Sequence, residues 1–186
     1  AYAGTCMMEY SGRSVSMCPM GKDSFGPVVI HEGGGHGFGR LLDEYRYYAA
    51  ELPNDDKNAI KSWRSKDPYY GYNLDLTGDR NKVHWAHYFD RPGYEAVSLY
   101  EGGCLYEYGV WRPEYISCME GNRPYYNAPS REAIVRRIMR ASGKTFNMED
   151  FISKDKIRSE KGAPQTRTDY VTEAFVPFAP PIRVER

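Results

Sequence analysis

Apolar residues fall along this chain in short runs, and the spacing within each run predicts its structure. Val15 and Met17 alternate with serines in Ser14-Val15-Ser16-Met17. That period of two predicts strand, so residues 1–26 read as one or two strands joined at Gly12-Arg13. Pro27 stands where a helix can begin, since its missing N–H costs nothing at the first helical position, and 28–37 follows as a helix. Asn54 or Asp55 caps a short helix carrying Ala59, Ile60 and Trp63. Residues 67–81, with Pro68, Gly71, Asn73, Asp75 and Gly78-Asp79, predict a surface loop of the kind that lines clefts. A hairpin is expected from 96–100 to 105–110, around Gly102-Gly103. A longer helix starts near Ser130, buries Ala133, Ile134, Ile138 and Met139, and closes at Ser142-Gly143. Asn147 caps a last short helix through Phe151 and Ile152. Pro164, Pro177, Pro180 and Pro181 exclude regular helix beyond that point. The pattern predicts a mixed α+β domain over 1–162, and 163–186 as an extended Pro-rich tail or the approach to another module.

Composition narrows the functional classes. The 25 basic residues balance the 25 acidic ones, so no global field points to nucleic acid, and Arg131 to Arg140 reads as the solvated basic face of an amphipathic helix. No apolar stretch approaches the roughly 18 residues of a membrane span. The opening Ala1-Tyr2-Ala3-Gly4 reads as the edge of a processed or trimmed product and says nothing of a precursor's destination. Cys6, Cys18, Cys104 and Cys118 lack the close pairing of a Cys-rich zinc site, which leaves both disulfides and free thiols open. Seventeen tyrosines and three tryptophans suit recognition of peptide or glycan.

The candidate chemistry lies in Val28-Val29-Ile30-His31-Glu32-Gly33-Gly34-Gly35-His36-Gly37-Phe38-Gly39-Arg40-Leu41-Leu42-Asp43-Glu44-Tyr45. Two imidazoles, an oxygen ligand and a carboxylate base are the parts of a zinc hydrolase. The spacing is unusual, because histidines five apart diverge by about 140° on an α-helix, where four apart they share a face. His31 and His36 meet on one metal only if the turn at Gly33 to Gly35 widens, as a single-turn π-bulge does. Asp43 would lie about 10 Å beyond His36 on an unbroken helix. The helix is therefore expected to end at a glycine turn, with Gly39 the turn residue, and Leu41 and Leu42 to anchor the returning chain. Asp43 is the expected third ligand. Glu44 is a rival ligand or a partner for a histidine Nδ1–H. His84 and His87 are further candidates for that ligand or for a substrate pocket, against a plainer reading as rings packed beside Trp85, Tyr88 and Phe89. Calcium between Asp75 and Asp79 matches no loop motif and is the weakest reading.

These residues resemble a known group. The histidine segment, with Tyr100-Glu101-Gly102-Gly103, Gly109-Val110-Trp111-Arg112-Pro113, Ser117-Cys118-Met119 and Ala128-Pro129-Ser130-Arg131-Glu132-Ala133-Ile134, is similar to the catalytic domain of the immunoglobulin-A-peptidase-like family of bacterial zinc metallopeptidases, in a gut-bacterial branch. The resemblance implies a metzincin-like fold of mixed sheet, active-site helix and C-terminal helices, with more strands ahead of the helix than 1–26 provide. It also implies a secreted or envelope-associated endopeptidase holding one zinc on His31, His36 and Asp43, acting on a protein or peptide. Glu32 would be general base and Met119 would lie under the metal. Tyr106, Tyr108, Arg112 and Tyr115 are candidate oxyanion donors, with Tyr115 placed first because it is nearest Met119 in sequence. The alternatives are a non-catalytic peptide- or glycan-binding module with a structural metal, and a zinc amidase acting on another bond.

Overall fold

The computed structural model describes residues 3–7, 13–20, 25–123 and 125–155; the Pro-rich segment 163–186 and Gly12 of the expected first turn lie outside the described residues. Strands β1 (Gly4–Met7) and β2 (Ser14–Met17) pair antiparallel, with Thr5 opposite Ser16. Helix α1 (Phe25–Val29) runs directly into a π-helix (Ile30–Gly39), so the helix begins two residues ahead of Pro27. Strand β3 (Arg46–Glu51), helix α2 (Asn54–Lys66) and a 3₁₀ turn at Ala86–Tyr88 follow. Strands β4 (Tyr100–Gly103) and β5 (Leu105–Arg112) precede α3 (Cys118–Gly121), α4 (Ala128–Ala141) and α5 (Met148–Lys154). The result is a mixed α+β domain. Its larger sheet has the order β3-β5-β4, with β3 parallel and β4 antiparallel to β5.

Several elements differ from the pattern-based expectation, each for a tertiary reason. The hairpin forms later than expected, because Tyr94 and Val97 are buried in the core by a turn while Gly102, at φ +105°, lets β4 pass the Arg46 side chain. Residues 46–51, whose side chains are all exposed, become a strand because β5 offers them its edge. Neither Asn54 nor Asp55 caps α2; Pro53 holds that position, and Asp55 and Asp56 lie in the first turn, where the helix dipole favours them. α4 starts at Ala128, where the Asn127 side chain accepts the Ser130 N–H. Ile138, expected inside, is 49% exposed. The cause is Glu132, which is drawn fully inside by Tyr72, Tyr88, His87 and Arg136 and so turns the N-terminal half of α4 to the core.

Three apolar clusters hold these elements. Trp85, Tyr88, Tyr94, Val97, Phe151 and Ile152 form the largest, and Leu52, Ile60, Leu74 and Val110 seat α2 on the sheet. Leu41, Tyr72, Met119 and Ala133 form the third. This small cluster underlies the π-helix.

Candidate metal centre

The helix that carries both histidines is widened along its whole second half. Between Ile30 and Gly39 the backbone bonds run i→i+5, which replaces the single widened turn expected at Gly33 to Gly35. In that geometry residues five apart are separated by one turn, and His31 and His36 come together with ring centroids 4.8 Å apart. The glycines make room for what surrounds the helix. A Cβ on Gly35 would strike the Met119 thioether, and one on Gly34 would come within 2.5 Å of the Tyr126 hydroxyl, which donates to the Ile30 carbonyl. The left-handed residue that ends the helix is Arg40, at φ 57°, and not Gly39. Gly39 is small because the Gly34 carbonyl and Ile134 close in on it.

After Arg40 the chain turns back beneath the histidines, as the Asp43 argument required. Leu41 N–H donates to Gly35 O, and the Leu41 side chain fills the cluster beside Met119. The buried amide of Asn73 brackets Leu42, accepting its N–H at 3.0 Å and donating to its carbonyl at 2.8 Å. Glu44 N–H donates to Met119 O at 2.8 Å. Glu44 is neither ligand nor histidine partner: its fully buried carboxylate accepts from Ser117, Asn73 and Asn127 at 2.6–2.7 Å. Burial pushes its pKa up to about 7 against those three donors.

Three donor atoms converge as a result. His31 Nε2 and His36 Nε2 lie 3.1 Å apart, and Asp43 Oδ1 lies 3.0 and 3.1 Å from them. The opposite ring nitrogens are committed, with His31 Nδ1–H donating to Cys118 O at 2.9 Å and His36 Nδ1–H to Leu41 O at 2.8 Å. A carbonyl can only accept, so each neutral ring carries its proton on Nδ1 and turns a lone pair inward from Nε2. Two lone pairs and a carboxylate oxygen facing one another need a cation between them. A tetrahedral ion with bonds of about 2.0–2.1 Å holds its ligands roughly 3.3 Å apart. The triangle fits such an ion with little movement, so this cluster is able to coordinate a metal.

The electrostatics agree. Burial works against a charged His31, yet hydrogen bonding to Asp43 and the Cys118 segment raises its pKa to about 9. Burial likewise opposes a charged His36, but Asp43, the Leu41 carbonyl and the Glu32 carboxylate raise it. Burial would raise Asp43, and the two imidazoles hold it well below the usual carboxylate range instead. Each of the three is poised to share a positive charge.

Other residues take places the sequence did not disclose. Glu32 is buried beside His31, and its Oε2 accepts from the Thr5 hydroxyl of β1 at 2.8 Å. Tyr45 stacks on His31 at 6.2 Å between centroids, and burial together with the neighbouring Asp43 carboxylate raises the pKa of its hydroxyl. Among the expected oxyanion donors, Tyr115 packs on Tyr100, lies near Arg112 and is 63% exposed. Arg112 donates to the Glu101 and Gly102 carbonyls, Tyr106 packs on Tyr48, and Tyr108 is exposed on β5. The phenol that meets a ligand is Tyr45. His84 and His87 are not ligands, since His84 pairs with Asp75 and His87 with Glu132. Asp79 pairs with Lys82 instead of joining Asp75 around a cation. Nothing local in the sequence signals Thr5, Asn73 or Asn127 here, because each acts across more than twenty residues. Among the described residues no helix is long and apolar enough to cross a membrane. No protein-family model matches the chain, and comparison with curated proteins finds no match, so the centre is defined by its own geometry.

Proposed function

We propose that this chain is a zinc-dependent endopeptidase that hydrolyses internal peptide bonds. The observation that carries the reading is the convergence of His31 Nε2, His36 Nε2 and Asp43 Oδ1 at 3.0–3.1 Å with both Nδ1–H groups already donated to carbonyls. Three protein ligands, with no fourth among the described residues, is the count of a catalytic and not a structural zinc site. Two imidazole nitrogens favour zinc over calcium or magnesium, which prefer oxygen. When bound, a zinc ion polarises the scissile carbonyl and lowers the pKa of water. Glu32, next to a ligand but outside the triangle, takes the proton of the attacking water and passes it to the leaving amine. The Thr5 hydroxyl, donating at 2.8 Å, orients that carboxylate. The turn at Cys118–Gly121, with Met119 packed under Gly35 and Cys118 O holding His31, supports the metzincin-like kinship. The exposed tyrosines Tyr47 and Tyr48 on β3, which starts three residues after Asp43, offer an aromatic lip for an extended peptide.

The test is metal analysis together with cleavage profiling of an unbiased peptide library, using wild type and Glu32→Gln. Glutamine keeps the size and the Thr5 hydrogen bond but removes the base. Zinc content stays the same and hydrolysis falls by at least about 10²-fold. Equal cleavage by both proteins would remove Glu32 from the mechanism. A zinc-loaded wild type that cuts no peptide would transfer the site to the binding-module reading.

A further inference from the structure

A second site lies at the C-terminal end of α4. The last turns of that helix, the loop residues Asp67 and Tyr69, and the segment 144–146 line an open cleft of about 280 Å³. Four cations line it: Arg136, Arg137, Arg140 and Lys144. Two of them are fixed by the protein. The Arg136 guanidinium lies 3.8 Å from the Phe146 ring centroid and 4.9 Å from that of Tyr69, and it donates to Glu132 and to the Tyr69 hydroxyl. Arg137 donates to Asp67 and to the carbonyl of Gly39, the last residue of the π-helix. Arg140 and Lys144 have no side-chain partner among the described residues.

Cations near a helix C-terminus offset the dipole there, and that accounts for their sign. It does not account for a cleft in which two guanidinium groups are held by the protein and two further cations have no side-chain partner among the described residues. A single carboxylate matches one cation. A phosphate group carries about −1.5 to −2 near neutral pH and three acceptor oxygens, which matches both. We propose that this cleft binds a small phosphate-bearing ligand, with Arg140 and Lys144 closing on the phosphate and the faces of Tyr69 and Phe146 walling the space beside it. The site is independent of the peptidase reading.

Isothermal titration of the whole protein at low salt tests this with two probes, inorganic phosphate and phenyl phosphate. Saturable binding at one site per chain is expected, at least tenfold weaker in the Arg140→Ala/Lys144→Ala double variant. The control is Arg80→Ala/Arg91→Ala, which removes the same charge from another part of the surface and leaves binding unchanged. Both pairs sit at the surface, and thermal unfolding checks that each variant remains folded. Tighter binding of phenyl phosphate assigns the site to a phosphate ester that uses the aromatic walls; equal binding assigns it to the free ion. The proposal is overturned if neither probe saturates. It is overturned too if the Arg140/Lys144 variant binds as wild type does, which would place the anion elsewhere on the protein, or if both double variants weaken equally, which would mean a diffuse charge effect.

Discussion

Tyr45 stands beside two of the three proposed ligands, its ring stacked on His31 and its hydroxyl near the Asp43 carboxylate, which with burial raises the phenol pKa. Removing that hydroxyl leaves the donor atoms in place but takes away a polar neighbour of the carboxylate. Groups of this kind behind a ligand are worth roughly 10–100-fold in metal affinity. In Tyr45→Phe, zinc is therefore expected to bind at least about tenfold more weakly, read by competition with a chromogenic chelator. An unchanged affinity would mean that Asp43 is oriented by its backbone alone, through the Cys104 N–H on Asp43 O and the neighbouring Glu44 N–H on Met119 O. The same residue shows the limit of proximity in sequence. Tyr115 is nearer Met119 along the chain, yet its ring packs on Tyr100 instead of meeting a ligand.

The π-helix is the element on which the site depends, and its glycines divide into those needed for space and those that are not. Gly35 lies against Met119, so a methyl group there must displace a fully buried side chain. Gly33 has no atom within 4 Å of where its Cβ would stand. Gly35→Ala is expected to destabilise the protein by about 1–3 kcal/mol, the cost of overpacking a closed core. Gly33→Ala is expected to be neutral or to stabilise by up to about 1 kcal/mol, the helix preference of alanine over glycine. Thermal unfolding of the two variants separates these outcomes. Equal losses would show that the helix needs glycine for its backbone and not for clearance.

For the whole molecule, stability is tied to pH through carboxyl groups that the packing has enclosed. Glu114 joins the segment after β5 to the start of α4, accepting from the Tyr125 hydroxyl at 2.6 Å and the Ala128 N–H at 3.0 Å. Burial, only partly offset by these donors, pushes its pKa from 4.5 up to about 7. Below pH 4.5 both folded and unfolded chains hold the proton, and the group is neutral to stability. Between 4.5 and 7 the unfolded chain ionises first, so stability falls as pH rises through that window and the loss is complete above 7. Glu114→Gln removes the titration and keeps hydrogen-bonding capacity. Its stability relative to wild type is expected to improve by on the order of 3 kcal/mol from pH 4.5 to 7.5, measured by urea unfolding at each pH. A difference that stays flat with pH would show that the donors hold Glu114 ionised throughout.

What the chain determined by itself were features whose causes are local. The spacing of His31 and His36 forbids a shared metal on an α-helix, so a widened helix followed from those residues alone, as did a break ahead of Asp43. Asn147 as a cap, and Phe151 and Ile152 as core, follow from side-chain chemistry within a turn or two. Tertiary structure decided the rest. The π-geometry extends over ten residues because Met119, Tyr126 and Ile134 press on the glycines from segments some eighty to one hundred residues away. Glu44 turns from ligand candidate to buried tie because Asn73, Ser117 and Asn127 happen to meet there. β3 exists only because β5 presents its edge. Such pairings depend on where distant segments close upon one another, and the free energy of that closure belongs to the packed whole and to no local pattern.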